Sequence, residues 1–163
     1  TSPMKPDRQV VGIAEGRVTQ GDGELATYAL GSCIGVCLYD RPRHIAGLVH
    51  ILLPSRALAV ERTNPYKFAD SGIEELIRAM ERLGAVRAAI TAKLVGGAQM
   101  FQVDRGQRGV GERNIDAARQ ALQEQGIPIL GQDVGKTHGR SICFSARTGM
   151  VHIKTVRMGE HVL

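Results

Sequence analysis

The chain has 163 residues, enough for one core of ordinary size, and its 43% hydrophobic content can fill that core while 23% charge keeps the surface wet. Three Tyr, three Phe and no Trp are too few rings for a base-stacking platform, which argues against single-stranded nucleic acid as a partner. The formal charge of +5 is spread out, and its densest stretches, 105–113 and 136–140, are broken by Gly and acids. It reads as a solvated basic surface or as attraction to an acidic protein partner. No stretch approaches the roughly 18 apolar residues of a membrane span. Thr1–Pro6 has no apolar run behind its basic residue, so neither membrane insertion nor a signal peptide is expected. The cytoplasm is the expected compartment, with residues 1–8 a flexible start to one domain over 1–163. Three cysteines, Cys33, Cys37 and Cys143, are expected as reduced thiols.

The first third reads as consecutive, mostly antiparallel strands. Residues 9–18 form an apolar, β-branched stretch interrupted by Gly12 and Gly16, followed by 25–30, 34–39 and 45–53. Residues 55–68 read as a loop. A helix follows, with Ser71 and Glu74 at capping-box spacing, one apolar face (Ile73, Leu76, Ile77, Met80, Leu83), and Gly84 closing it. Residues 88–95 suggest a buried strand leading into Gly96-Gly97-Ala98, and 102–112 a polar, Gly-bearing loop. A second helix is expected from an N-cap near Asn114 to Gly126. Strands over 127–134, 141–146 and 150–156 end the chain, the last two as a hairpin over Arg147-Thr148-Gly149. The class is α/β, with several strands per helix.

The segment Leu30-Gly31-Ser32-Cys33-Ile34-Gly35-Val36-Cys37 is where chemistry is most plausible. Small residues before a cysteine that opens an apolar strand place the thiol at a sheet end, where free backbone N–H groups can hold an oxyanion. Cys33 is thus either a small buried hydrophobe or a nucleophile. Cys37 and Cys143, with apolar neighbours, read as buried. Four residues along a strand is about 13 Å, against a Cα limit of about 7 Å for a disulfide. Cys33 and Cys37 are therefore expected to share neither a disulfide nor a metal, and no metal or cofactor is expected.

A nucleophilic thiol needs a base, and His50 is the histidine set in an apolar strand, either as a satisfied core residue or as that base. His44, His138, His152 and His161 read as surface. A hairpin of 34–39 with 45–53, with Tyr39 beside Ile45, brings Cys33 and His50 to one end of the ladder. Thr27 could accept the second imidazole N–H, or be an ordinary strand threonine. Gly96 and Gly97 permit close backbone approach or simply make a tight turn.

These residues resemble the chemoreceptor glutamine deamidases of bacterial chemotaxis, the CheD family. Thr27-Tyr28-Ala29-Leu30-Gly31-Ser32-Cys33 resembles its nucleophile segment and Val49-His50-Ile51-Leu52-Leu53-Pro54 its histidine strand. Gly96-Gly97-Ala98-Gln99-Met100-Phe101, Gly111-Glu112-Arg113-Asn114 and residues 133–140 resemble three later motifs. Ala29 and Lys136 depart from the pattern, standing where glycine is expected. The resemblance implies two mixed β-sheets packed together and flanked by helices, in the manner of a cysteine-hydrolase sandwich. It implies a Cys33–His50–Thr27 triad acting as a protein-glutamine glutaminase on methyl-accepting receptors. Gly31, Ser32, Gly96 and Gly97 are the candidates around substrate and oxyanion. In some members it also implies a CheC-type CheY-phosphate phosphatase as partner.

Overall fold

A computed structural model describes residues 7–61, 63–100, 108–156 and 159–163. Its ten described strands fall into two mixed five-stranded sheets, accompanied by two α-helices. The first sheet contains β1 (Arg8–Val10), β3 (Glu24–Leu30), β8 (Arg140–Ser145), β9 (Val151–Thr155) and β10 (Gly159–Val162), in that order. The second runs β2 (Gly16–Gln20), β5 (Ile45–Ile51), β4 (Ile34–Asp40), β6 (Ile90–Gly96) and β7 (Ile129–Val134). Among the described strands β1–β3 and β6–β7 pair in parallel and the other strand pairs are antiparallel.

Side-chain alternation divides the core into two layers. Ile34, Val36 and Leu38 of β4 point to one side of the second sheet and pack with α1 (Ala69–Arg82) and α2 (Val110–Glu124) through Ile73, Leu76, Ile77, Ile115 and Leu122. Cys33, Cys37 and Tyr39 point the other way, towards Leu25, Ile142, Phe144 and Ile153 of the first sheet. Both central strands, β4 and β5, are therefore buried throughout. Each fully buried Leu or Ile contributes about 1.5–3 kcal/mol. The helices cover only the second sheet. On β9 of the first sheet, Val151, Ile153 and Thr155 turn inward, while His152 and Lys154 face solvent.

Several boundaries differ from the sequence reading. Residues 9–18 are two strands in different sheets: Gly12 N–H is held by the Glu15 carboxylate, Ala14 takes a left-handed φ of 60°, and the chain crosses over between them. The first helix begins at Ala69, two residues before Ser71, because the fully buried Phe68 draws a 3₁₀ turn over Pro65–Lys67 straight into it. Ser71 is no cap; its hydroxyl donates to the Pro65 carbonyl at 2.7 Å. Leu83 lies past the last helical turn and is partly exposed. Helix α2 starts at Val110 rather than near Asn114, with Gly109 as N-cap. Strand β10, which pairs with β9, lies beyond the expected last strand. Within the expected loop over 102–112, residues 102–107 lie outside those described, as does most of the N-terminal stretch 1–8.

Candidate active site

The β4–β5 hairpin sets the site. Asp40 pairs with Ile45, one residue from the Tyr39–Ile45 pairing expected, and the ladder runs out to Gly35–His50 and Ile34–Ile51. Directly opposed residues share a face, so His50 lies on the face of Gly35, and Cys33 two residues earlier returns to it. The two side chains share that face without a hydrogen bond between them, since His50 Nε2 has no partner among the described residues. That face is the layer between the sheets, where Cys33 is 8% exposed and His50 1%.

Thr27 comes from the opposite sheet. Its Oγ1 is 2.6 Å from the Val11 carbonyl oxygen and 2.7 Å from His50 Nδ1. A hydroxyl has one proton, and a carbonyl can only accept. The Thr27 proton therefore goes to Val11, and Oγ1 must accept from His50 Nδ1–H. This fixes the neutral tautomer with its free lone pair on Nε2. Nε2 is buried and has no hydrogen-bond partner among the described residues. Burial pushes the His50 pKa down from 6.5 to about 4, so the ring is neutral at pH 7. Burial likewise raises the Cys33 thiol pKa, opposed by the residue's own backbone N–H. The resting pair is a neutral thiol and a neutral imidazole.

Three consecutive carbonyls ahead of β4 are tied down from outside. Gly31 O accepts from Ala98 N–H at 2.8 Å, Ser32 O from Asn114 Nδ2 at 2.9 Å, and Cys33 O from Gly97 N–H at 2.8 Å. Gly96 and Gly97 sit at φ +113° and +66°, and a Cβ at Gly96 would stand 2.5 Å from Cys33 O. A side chain at Gly96 would push the cysteine segment away, and one at Gly97 would collide with Ile115 of α2. The Gly97 N–H is thus spent on the Cys33 carbonyl, which leaves it no free proton for an oxyanion. The support continues outward: Gly96 O accepts from Gly135 N–H, Lys136 O accepts from Gln99 N–H, and buried Arg140 holds Asp133 and the carbonyls of Gly135 and His138. Asp133 also meets His161 Nε2 at 2.6 Å.

The two departures from the family pattern acquire a physical meaning here. Ala29 and Lys136 adopt φ of 56° and 60°, left-handed values that glycine takes without strain. Ala29 occupies the irregularity where β3 slips register against β8.

Ser32 lines a recess of about 260 Å³ with Ala98, Gln99, Met100, Gly109, Val110 and Gly111. Two larger hollows, of about 470 and 490 Å³, lie on the solvent side of the first sheet and contain none of Thr27, Cys33 or His50. Cys37 is sealed in the core with its thiol pushed up to about 12 by burial. Cys143, whose thiol donates to Glu24, is also raised. Among the described residues, no three of His, Cys, Asp and Glu are placed to hold a metal. Asn114, quoted in the sequence only as a motif and expected as a helix cap, is the contributor that pattern reading missed. Its signal was a polar residue on the buried face of α2.

Comparison with known proteins places this scaffold. The family described as CheD chemotactic sensory transduction matches residues 52–155. This chain belongs to the CheD family. A probable chemoreceptor glutamine deamidase CheD of Haloarcula marismortui is 44% identical over 92% of this chain and 86% of its own length. A CheD of the same description from Caldanaerobacter subterraneus is 43% identical over 91% of this chain and 93% of its own. Among solved structures, the Bacillus licheniformis hypothetical protein YfiH aligns with a TM-score of 0.45 and 21% identity, over 72% of this chain and 49% of that one. That likeness is too partial to bear on function.

Proposed function

We propose that this CheD chain deamidates glutamine side chains of methyl-accepting chemoreceptors, with Cys33 as nucleophile and His50 as its base. The observation that carries the reading is the cross-sheet Thr27–His50 hydrogen bond, which leaves Nε2 as an unused acceptor on the face that bears Cys33. The names of the curated relatives supply the substrate class.

His50 Nε2 takes the thiol proton as the sulfur attacks the glutamine carboxamide carbon, because neither group is charged at rest. The tetrahedral intermediate collapses with cleavage of the C–N bond, and the same proton passes from Nε2 to the departing nitrogen, which leaves as ammonia. Water then gives a proton to Nε2 and its hydroxide adds to the thioester. The C–S bond breaks, the sulfur recovers its proton and glutamate is left on the receptor. Thr27 holds the ring in the tautomer this needs. The backbone N–H of Cys33 is assigned to the oxyanion, where one such donor is worth a factor of about 10²–10³. Gly31, Ser32, Gly96 and Gly97 shape the approach, Gly96 and Gly97 by holding the cysteine segment.

Cytoplasmic location belongs to the same proposal, as the compartment of the receptor segment to be modified; no helix among the described residues is long and apolar enough to cross a membrane. So does a CheC-type phosphatase partner, which co-elution of the two purified proteins would test. The test of the activity is the intact mass of a receptor cytoplasmic fragment after incubation with wild-type, Cys33→Ala and His50→Ala protein. The expected result is the gain produced by exchanging NH₂ for OH, with wild type only. Fragments instead of that gain would indicate a peptidase. No change would favour a non-catalytic adaptor.

A further inference from the structure

We infer that Asn114 is the residue that sets the spacing between Cys33 and His50, acting as a missing rung of the β4–β5 ladder. The inference rests on the thiol–imidazole reading above. The last registered pair of that ladder is Ile34–Ile51, so the backbone pairing stops one residue short of the nucleophile. The next two positions, Cys33 and Leu52, have no rung between them. Leu52 N–H turns away to the Lys67 carbonyl at 3.0 Å. This leaves the carbonyls of Ser32 and Leu52 as acceptors at the open end of the hairpin.

Asn114 reaches in from α2 and donates both protons of Nδ2, one to Ser32 O at 2.9 Å and one to Leu52 O at 3.1 Å. Both neighbours can only accept, so the amide must present its NH₂ to them and not its oxygen. The side chain is fully buried, and Oδ1 has no partner among the described residues, so the nitrogen accounts for every hydrogen bond the amide makes there. Ser32 is one residue from Cys33, and Leu52 is two from His50. One rigid carboxamide therefore couples the strand end carrying the nucleophile to the strand end carrying the base. Catalytic geometry is sensitive on this scale: a misplacement of about 1 Å can cost about 10²-fold in rate. A residue placed only to cap α2 would sit at its N-cap, which Gly109 holds.

The test compares Asn114→Ala, which removes both donors, with Asn114→Ser, which keeps one shorter donor. Two readouts are needed: kcat and KM for deamidation of a receptor fragment, and the pH profile of Cys33 alkylation by iodoacetamide, resolved by peptide mass spectrometry. The expected result is a kcat loss of about 10²-fold in Asn114→Ala with KM unchanged. Asn114→Ser should fall between that and wild type. The alkylation profile of Asn114→Ala should move to higher pH and converge on that of His50→Ala, because the thiol has lost its base. A wild-type kcat in folded Asn114→Ala, or a kcat loss with an unmoved alkylation profile, overturns the inference. Failure of both variants to fold would assign Asn114 to holding the fold instead, and also overturns it. Cys33→Ala and His50→Ala proteins run alongside separate the two claims. Full activity in either defeats the thiol–imidazole reading, whereas their inactivity beside a wild-type profile in Asn114→Ala defeats only the role of Asn114.

Discussion

Cys33 stands just ahead of β4 and Cys37 in its middle, both turned to the layer between the sheets. At Cys37 the ladder is complete on both sides, with Leu48 and Lys93 as partners, and burial pushes the thiol up to about 12. At Cys33 the β4–β5 and β4–β6 pairings have both ended, the carbonyls are held by groups from outside the strand, and the residue's own N–H acts on the sulfur. In the proposed mechanism a cysteine gains chemistry from where the strand stops, and the same residue four positions further in is packing.

The sharpest way to break this contrast is to remove each sulfur in turn. Cys33→Ala is expected to lower deamidation by at least about 10⁴-fold, while Cys37→Ala should keep wild-type kcat and lose stability only. Steady-state assays on the receptor fragment check both. Next comes the base. His50→Ala should cost about 10²–10⁴-fold in kcat. Thr27→Val, which keeps the shape but frees the tautomer, should cost about 10–10²-fold with KM little changed.

A smaller effect appears in stability against pH. His50 is held near 4 in the folded chain and titrates at 6.5 when unfolded, so below 6.5 the unfolded state binds the extra proton. Stability falls as pH drops from 6.5 through about 4, by about 3 kcal/mol in full. Denaturant titrations of wild type and His50→Gln should differ in slope over that window, and parallel curves would show that the imidazole is not buried neutral. The smallest effect is at the left-handed positions. Ala29→Gly should stabilise by about 1 kcal/mol, seen as a rise of about 2–4 °C in Tm. The outcome shows whether Ala29 is strained where β3 slips register.

Much of this contrast was readable from residue order. An apolar strand opening on Gly31-Ser32-Cys33, and one histidine inside the apolar run 45–53, are local patterns, and the short 40–44 turn forces the two strands together. The helix face Ile73, Leu76, Ile77 and Met80 was legible for the same reason, since a 3.6-residue period leaves its mark in sequence. What escaped depends on contacts between distant segments. The split of residues 9–18 follows from the crossover between sheets. Asn114 resembles a cap because asparagine favours caps. Only the approach of α2 to the hairpin end, 82 residues from Ser32, reveals what its amide does.

The most direct test of the central claim is to quench the reaction with acid during turnover on a receptor fragment and map the adduct by peptide mass spectrometry. The account predicts a hydroxylamine-sensitive thioester joining the receptor glutamine carbon to Cys33, absent in Cys33→Ala. Deamidation at the wild-type rate by Cys33→Ala, or an adduct on Cys37 or Cys143, would contradict it.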